Sequence, residues 1–161
     1  MTGLRVGSGY DVHAFGEGDH VMLGGVRIPH DRGIVAHSDG DVLLHALCDA
    51  VLGAAGLGDI GQHFPDSDPR WRGAASSLFV AEVLRLAAAR GYVPVNADLT
   101  LLAEAPRVAR HREAICDSVA ALLGLPSDAV NLKATTTEKL GFIGRREGLA
   151  AMASVLLQRR D

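Results

Sequence analysis

The sequence predicts an α+β sandwich, a β-sheet with helices packed on one face. Three observations lead there. The elements read from hydrophobic periodicity run strands, helices, strand, helix, strand, strand, without the strict βαβα alternation of a doubly wound fold. The chain has 161 residues and no internal repeat, low-complexity tract or Pro/Ser-rich linker, which suits one domain spanning residues 1–161. Its composition, 48% hydrophobic and 22% charged, rules out intrinsic disorder and leaves ample apolar surface for a core.

Each element has a local reason. Leu4–His13 reads as a strand ending in a glycine-rich turn. The runs Val21-Met22-Leu23 and Val26-Arg27-Ile28 flank Gly24-Gly25, a hairpin signal. Ser38-Asp39-Gly40-Asp41 offers capping oxygens and acidic charge ahead of a helix running to about Ala55. Its apolar stripe is Leu44, Leu47, Cys48, Val51 and Ala55, the spacing of one buried helical face. Gly56–Gly73 reads as a loop, and loops this long inside compact domains are usually functional or mobile. A second helix over about Ala75–Arg90 stops at Gly91, and Val93–Leu102 alternates as a strand. Pro106 suits the first turn of a third helix that ends near Gly124-Leu125-Pro126. Val130–Thr136 is a strand. Gly148–Leu157 is ambiguous, because its alanines favour helix while Val155 and its length allow a strand.

Charge and composition exclude some functions. Sixteen Lys+Arg against nineteen Asp+Glu give a net charge of −3, so no global field draws in nucleic acid. At 4% aromatic residues there is little material for a base-stacking platform. No uninterrupted apolar run approaches the ~20 residues a membrane span needs. The first residues lack the apolar region of a signal peptide, so a cytoplasmic location is expected. Cys48 and Cys116 sit in apolar, helix-like segments and read as reduced core thiols. Seven histidines stand out, four of them within the first 37 residues. Histidine is the commonest metal ligand and a usual proton carrier.

Several groupings have chemical potential. Asp11 and His13 at a strand end project to the same face, as a polar pair or as two ligands. Asp41, His45 and Asp49 lie four apart on the first helix, off its core stripe. They read either as a solvated acidic face or as a ligating His45 whose second nitrogen a carboxylate orients. Together Asp11, His13 and His45 make a three-ligand N/O set with an open fourth position, the pattern of a catalytic zinc. His37 and Ser38 stand beside a helix N-terminus, which caps itself or takes a phosphate. Asp59, Asp66 and Asp68 in the glycine-rich loop bind a cation or sugar hydroxyls, or serve as turn residues. Arg107 falls near the start of the third helix, where a guanidinium suits a phosphate, and Thr135, Thr136 and Thr137 stand at a strand end, where hydroxyls bind phosphate oxygens or simply cap the next turn; neither motif is diagnostic alone.

In combination these motifs resemble the 2-C-methyl-D-erythritol 2,4-cyclodiphosphate synthase family of the non-mevalonate isoprenoid pathway. The resemblance rests on Gly9-Tyr10-Asp11-Val12-His13-Ala14-Phe15, Leu23-Gly24-Gly25-Val26-Arg27-Ile28-Pro29, Ala36-His37-Ser38-Asp39-Gly40-Asp41-Val42, Gly58-Asp59-Ile60-Gly61 and Lys133-Ala134-Thr135-Thr136-Thr137-Glu138-Lys139-Leu140-Gly141-Phe142. It runs from about Val6 to Leu157, in order. It implies a mixed, mostly antiparallel four-stranded sheet with helices on one face and a small β-hairpin. It also implies assembly as a homotrimer with active sites between adjacent subunits, and a final segment that is a strand. The implied reaction converts 4-diphosphocytidyl-2-C-methyl-D-erythritol 2-phosphate to the cyclic diphosphate and CMP, which is phosphorus–oxygen lyase chemistry.

The resemblance also distributes roles. Zn²⁺, one per subunit, is implied on Asp11, His13 and His45, with a second divalent ion, Mg²⁺ or Mn²⁺, on the substrate diphosphate. His37 and Thr136 match the transition-state stabilisers. Asp11, Val12, His13, His37 and Ser38 match substrate contacts, and Asp59, Ile60, Gly61, Phe64, Pro65, Asp66, Ser67 and Asp68 match the methylerythritol pocket. Ala103, Glu104, Ala105, Pro106, Arg107, Val108 and Ala109, with Thr135, Thr136, Thr137 and Glu138, match the cytidine and phosphate pocket. Phe142 and Arg145 match further ligand contacts, and with Glu147 the lining of a cavity on the trimer axis. Glu104 and Arg107 depart from the Gln and Lys that the family often shows, so the nucleotide pocket carries an extra negative charge and a different donor geometry.

Overall fold

The computed structural model describes residues 3–160. Its seven strands are β1 (Leu4–Gly16), β2 (His20–Leu23), β3 (Val26–Pro29), β4 (Gly33–Val35), β5 (Tyr92–Leu102), β6 (Val130–Thr135) and β7 (Gly148–Arg159). The helices are α1 (Val42–Ala55), the short α2 (Ile60–His63), α3 (Ser76–Ala89), α4 (Arg112–Leu123) and the short α5 (Gly141–Gly144). The main sheet runs β4-β1-β7-β5-β6, antiparallel throughout except for the parallel β5–β6 pair, so it is mixed as expected. It has five strands rather than four. The addition is β4, which pairs Ala14, Phe15 and Gly16 with residues of Gly33–Val35 at the sheet edge. Three residues are too few for a period-2 signal, so the pairing partner creates this strand.

The β2–β3 pair is the hairpin the sequence calls for. Gly24 and Gly25 have φ of 61° and 81°, which gives the type I′ turn whose twist matches the strands. The third helix begins later than Pro106 signals. Residues 103–108 form an irregular segment, Ala109–His111 a 3-10 turn, and α4 starts at Arg112, ahead of its buried stripe Ile115, Cys116, Val119, Ala120 and Leu123. Proline tolerates a first turn without forcing one. The loop before α3 likewise contains α2 and a 3-10 turn over Pro69–Trp71.

Helices cover one face of the sheet, and α1 is its central element. Asp41 caps it by accepting from Leu44 N at 3.1 Å, and Gly56 ends it with φ of 69°. Its contact with β1 is unusually close, since a Cβ on Gly7 or Gly9 would collide with the carbonyl oxygens of Ala50 or Ala46. Leu149, Ala151, Ala153, Val155 and Leu157 of β7 line the same buried face. That explains why an alanine-rich segment is a central strand: small side chains admit the helix, and packing overrides propensity. Cys48 and Cys116 are free and buried, in accord with the core-thiol reading. No helix among the described residues is long and apolar enough to cross a membrane. On the opposite sheet face Val6, Tyr10, Val12 and Met152 are exposed, Val6 at 77%.

Candidate active site

Period-2 geometry puts Gly9, Asp11 and His13 on the face of β1 turned toward α1. Glycine at position 9 lets the helix settle beside them, so His45 meets the two ligands from above. Asp11 Oδ2 lies 2.9 Å from His13 Nε2 and 3.1 Å from His45 Nδ1, and the two nitrogens are 3.1 Å apart. Among the described residues this is the one cluster of three or more His, Cys, Asp or Glu side chains able to converge on an ion. A tetrahedral ion with bonds of ~2.0–2.1 Å holds its ligand atoms ~3.3 Å apart, so the triangle fits a divalent metal. Burial works against the Asp11 carboxylate, but the hydrogen bonds and charge of His13 and His45 outweigh it and hold its pKa at about 2. The carboxylate is thus an anion over the whole physiological range.

The second nitrogen of His45 is held by hydroxyls rather than by a carboxylate of its own helix. Nε2 lies 2.8 Å from Ser76 Oγ and 3.2 Å from Ser38 Oγ. Ser76 in turn donates to Asp39. Asp41 and Asp49, the orienters the helical spacing points to, are engaged elsewhere. Asp41 is fully buried, accepting from the backbone N–H groups of Gly24, Gly25 and Leu44. Asp49 accepts from Ile60 N at 2.7 Å, and burial raises its pKa. Neither belongs to a solvated acidic stripe. Spacing along the chain gives no clue to Ser76, which lies 31 residues from His45 and reads only as part of a helix start.

A cleft of about 310 Å³ opens beside His13 and His45. His13, His45, His37 and Ser38 line it together with Ile60, Gly61, Phe64 and Asp66. Its apolar wall contains two residues the sequence reading missed, Trp71 and Phe79. Phe64 packs against Phe79 at 4.7 Å and edge-on to Trp71 at 4.9 Å, and Phe79 lies 5.7 Å from the His45 ring. The few aromatics of the chain are concentrated here. His37 is exposed, and its carbonyl accepts from Gly73 N at 2.7 Å, tying the strand-to-helix turn to the loop. Asp59 caps α2 through Gln62 N, and Asp68 caps the 3-10 turn while pairing with Arg70 at 2.6 Å. Pro65 and Ser67 are exposed beside them.

Val12 lies on the sheet face turned away from α1, while most residues predicted for the nucleotide gather at a second cleft. Ala103, Glu104, Pro106, Arg107, Val108 and Ala109 face Thr135 and Thr136 across about 210 Å³. Arg107 sits in the irregular segment ahead of α4, not at that helix's N-terminus. The Thr135–Lys139 turn is shaped by its own hydroxyls: Thr136 Oγ1 accepts from Glu138 N at 3.2 Å, and Thr137 Oγ1 donates to Leu140 O at 2.7 Å. Glu138 and Lys139 have φ of 53° and 64°, uncommon for residues with side chains, and Glu104 accepts from Lys139 N at 3.1 Å. Arg145 pairs with Glu147 at 3.1 Å near the partly exposed Phe142. Within one chain, His37 and Thr136 therefore line different clefts.

An α+β fold with an Asp-His-His cluster beside a cleft defines an enzyme, and comparison with known proteins says of which kind. Residues 4–158 match the YgbB family. The 2-C-methyl-D-erythritol 2,4-cyclodiphosphate synthase of Xylella fastidiosa is 60% identical over 99% of this chain and 92% of its own. A solved structure of such a synthase in a CDP-bound form is 45% identical, with a TM-score of 0.88 over 96% of this chain and all of its own. The bifunctional IspDF of Campylobacter jejuni is 43% identical with a TM-score of 0.95, and this chain spans all of itself but 44% of that longer chain. The chain belongs to the YgbB family and is, like these relatives, an enzyme of the lyase class.

Proposed function

We propose that the chain, working as one domain over residues 1–161, converts 4-diphosphocytidyl-2-C-methyl-D-erythritol 2-phosphate to 2-C-methyl-D-erythritol 2,4-cyclodiphosphate and CMP in isoprenoid biosynthesis. An oxygen of the 2-phosphate attacks the β-phosphorus of the substrate's own diphosphate. The bond from that phosphorus to the bridging oxygen breaks, and CMP leaves with the electron pair. The observation that carries this reading is the Asp11–His13–His45 triangle, two of whose members, His13 and His45, line a cleft walled by Phe64, Trp71 and Phe79.

Such a transfer needs positioning and charge neutralisation more than covalent help. Zn²⁺ on the triangle, with Mg²⁺ or Mn²⁺ carried by the diphosphate, supplies Lewis-acid polarisation of the phosphoryl oxygens. The aromatic wall and Ile60 take the methyl-bearing carbon skeleton, and Gly61 and Asp66 hold its hydroxyls. Residues 103–109 with Thr135, Thr137 and Glu138 hold the cytidine end; the cleft that most of residues 103–109 form with Thr135 supports this, as does the existence of a relative with CDP bound. His37 and Thr136 stabilise the transferring phosphoryl group from opposite sides.

We assign these roles to two adjacent chains, a reading supported by His37 and Thr136 lining different clefts of one chain. The apolar sheet face around Val6, Tyr10 and Met152, uncovered among the described residues, supports a homotrimer with sites between subunits. The location is cytoplasmic. Incubation with the diphosphocytidyl substrate tests the proposal: CMP and a cyclic diphosphate, identified by phosphorus NMR, are expected, and release of neither would refute it.

A further inference from the structure

We infer that Ser76 and Asp39 act as a relay that fixes the tautomer of His45, making its Nδ1 the metal ligand. The inference rests on the proposed metal role of the Asp11–His13–His45 triangle and adds two positioning residues to it. It follows from a proton count. A carboxylate only accepts, so Asp39 must receive the Ser76 hydroxyl hydrogen. Ser76 has no second hydrogen, so at 2.8 Å from His45 Nε2 its oxygen accepts and the nitrogen donates. With the imidazole proton on Nε2, the Nδ1 lone pair is left for a divalent ion held between it and Asp11 Oδ2, 3.1 Å away; only the imidazolium, protonated on both nitrogens, hydrogen-bonds that carboxylate from Nδ1.

Three further contacts hold the relay in place. Asp39 accepts with its other oxygen from Ser76 N at 3.0 Å, which locks the start of α3 against it. Asp39 N donates to Ala74 O at 3.1 Å, tying the Asp39 backbone to the residues ahead of α3. Ser76 is fully buried, so water does not compete for its hydroxyl. Ser38 Oγ also lies 3.2 Å from Nε2 and accepts from Gly40 N at 3.2 Å. The chain thus interposes a serine where metal-bound histidines commonly meet a carboxylate directly.

The relay sits outside the triangle, so its effect is on affinity and ring orientation rather than on the chemistry itself. Long-range proton–nitrogen NMR of the metal-free wild-type protein at alkaline pH reads the tautomer without any variant. A His45 proton on Nε2 is expected, and a proton on Nδ1 would overturn the inference whatever the variants do. Zinc titration against a chromophoric chelator supplies the second readout. Ser76→Ala and Asp39→Asn, with folding checked by circular dichroism, are expected to bind about 10–100-fold more weakly than wild type. Folded variants with wild-type zinc affinity would overturn it. Absence of zinc binding by wild type, by contrast, would refute the metal reading itself.

Discussion

The Asp41 carboxylate accepts the backbone N–H of Gly24 at 2.9 Å, fastening the residue that caps α1 to the turn of the β2–β3 hairpin. Its other oxygen takes Gly25 N at 2.7 Å, and the first also takes Leu44 N. One buried side chain therefore satisfies donors from two elements far apart in sequence. Asp41→Ala leaves these N–H groups without partners and is expected to cost ~2–4 kcal/mol, read as a lower denaturant midpoint with an unchanged slope. A loss under about 0.5 kcal/mol would mean that water reaches the turn.

Gly9 has a comparable role beneath the site. Gly9→Ala places a methyl group against the Ala46 carbonyl and pushes α1 away from β1, carrying His45 from Asp11 and His13. A stability loss of ~1–3 kcal/mol is expected. Zinc affinity should fall along with it, because the displaced residue adjoins a ligand. Thermal melts and chelator competition check both, and unchanged zinc affinity would show that the triangle does not depend on this contact.

Asp11 links the site to acid stability. In the metal-free protein its folded pKa is about 2 against an ordinary 3.8, the hydrogen bonds and charge of His13 and His45 overcoming the effect of burial. A depressed carboxylate pKa gives stability that is present above pH 3.8 and lost as pH falls toward 2. Metal-free Asp11→Asn should therefore be ~1–2 kcal/mol less stable than wild type at pH 5, with the gap closing as pH approaches 2. Urea melts across that range test it, and a gap that widens on acidification would contradict the sign.

Met152 lies directly across from Tyr10 in the sheet and is half exposed on the uncovered face. Met152→Glu sets a charge in the proposed subunit contact while leaving the helix-packed core untouched. Sedimentation velocity is expected to show lighter species, and CMP release to drop by about tenfold or more, the effect of ~1.4 kcal/mol. Zinc affinity should hold, since its ligands all lie within one chain. Full activity in a monomeric variant would refute the two-chain site.

Much of this architecture was legible in the sequence. Period-2 placement of Asp11 and His13, and the off-core position of His45, point to the triangle because a strand and a helix each present their side chains at a fixed repeat. The hairpin followed from Gly24-Gly25, the start of α1 from capping chemistry and the end of α3 from Gly91. What escaped depends on tertiary partners. Strand β4 exists only through its pairing with β1, and β7 is a strand because α1 presses on its alanines. Asp41 and Asp49 follow the helical spacing of a relay, yet the backbone of the hairpin turn and of α2 claims them. Ser76, Trp71 and Phe79 join the site through the return of the loop and α3, which no local pattern announces.

Cyclisation is the central claim, and reaction in ¹⁸O-water tests it most directly. The diphosphocytidyl substrate should yield CMP and the cyclic diphosphate, both free of label by mass spectrometry, because the attacking oxygen belongs to the substrate's 2-phosphate. Label incorporated into either product would mean that water is the nucleophile and that the cleft serves a hydrolase.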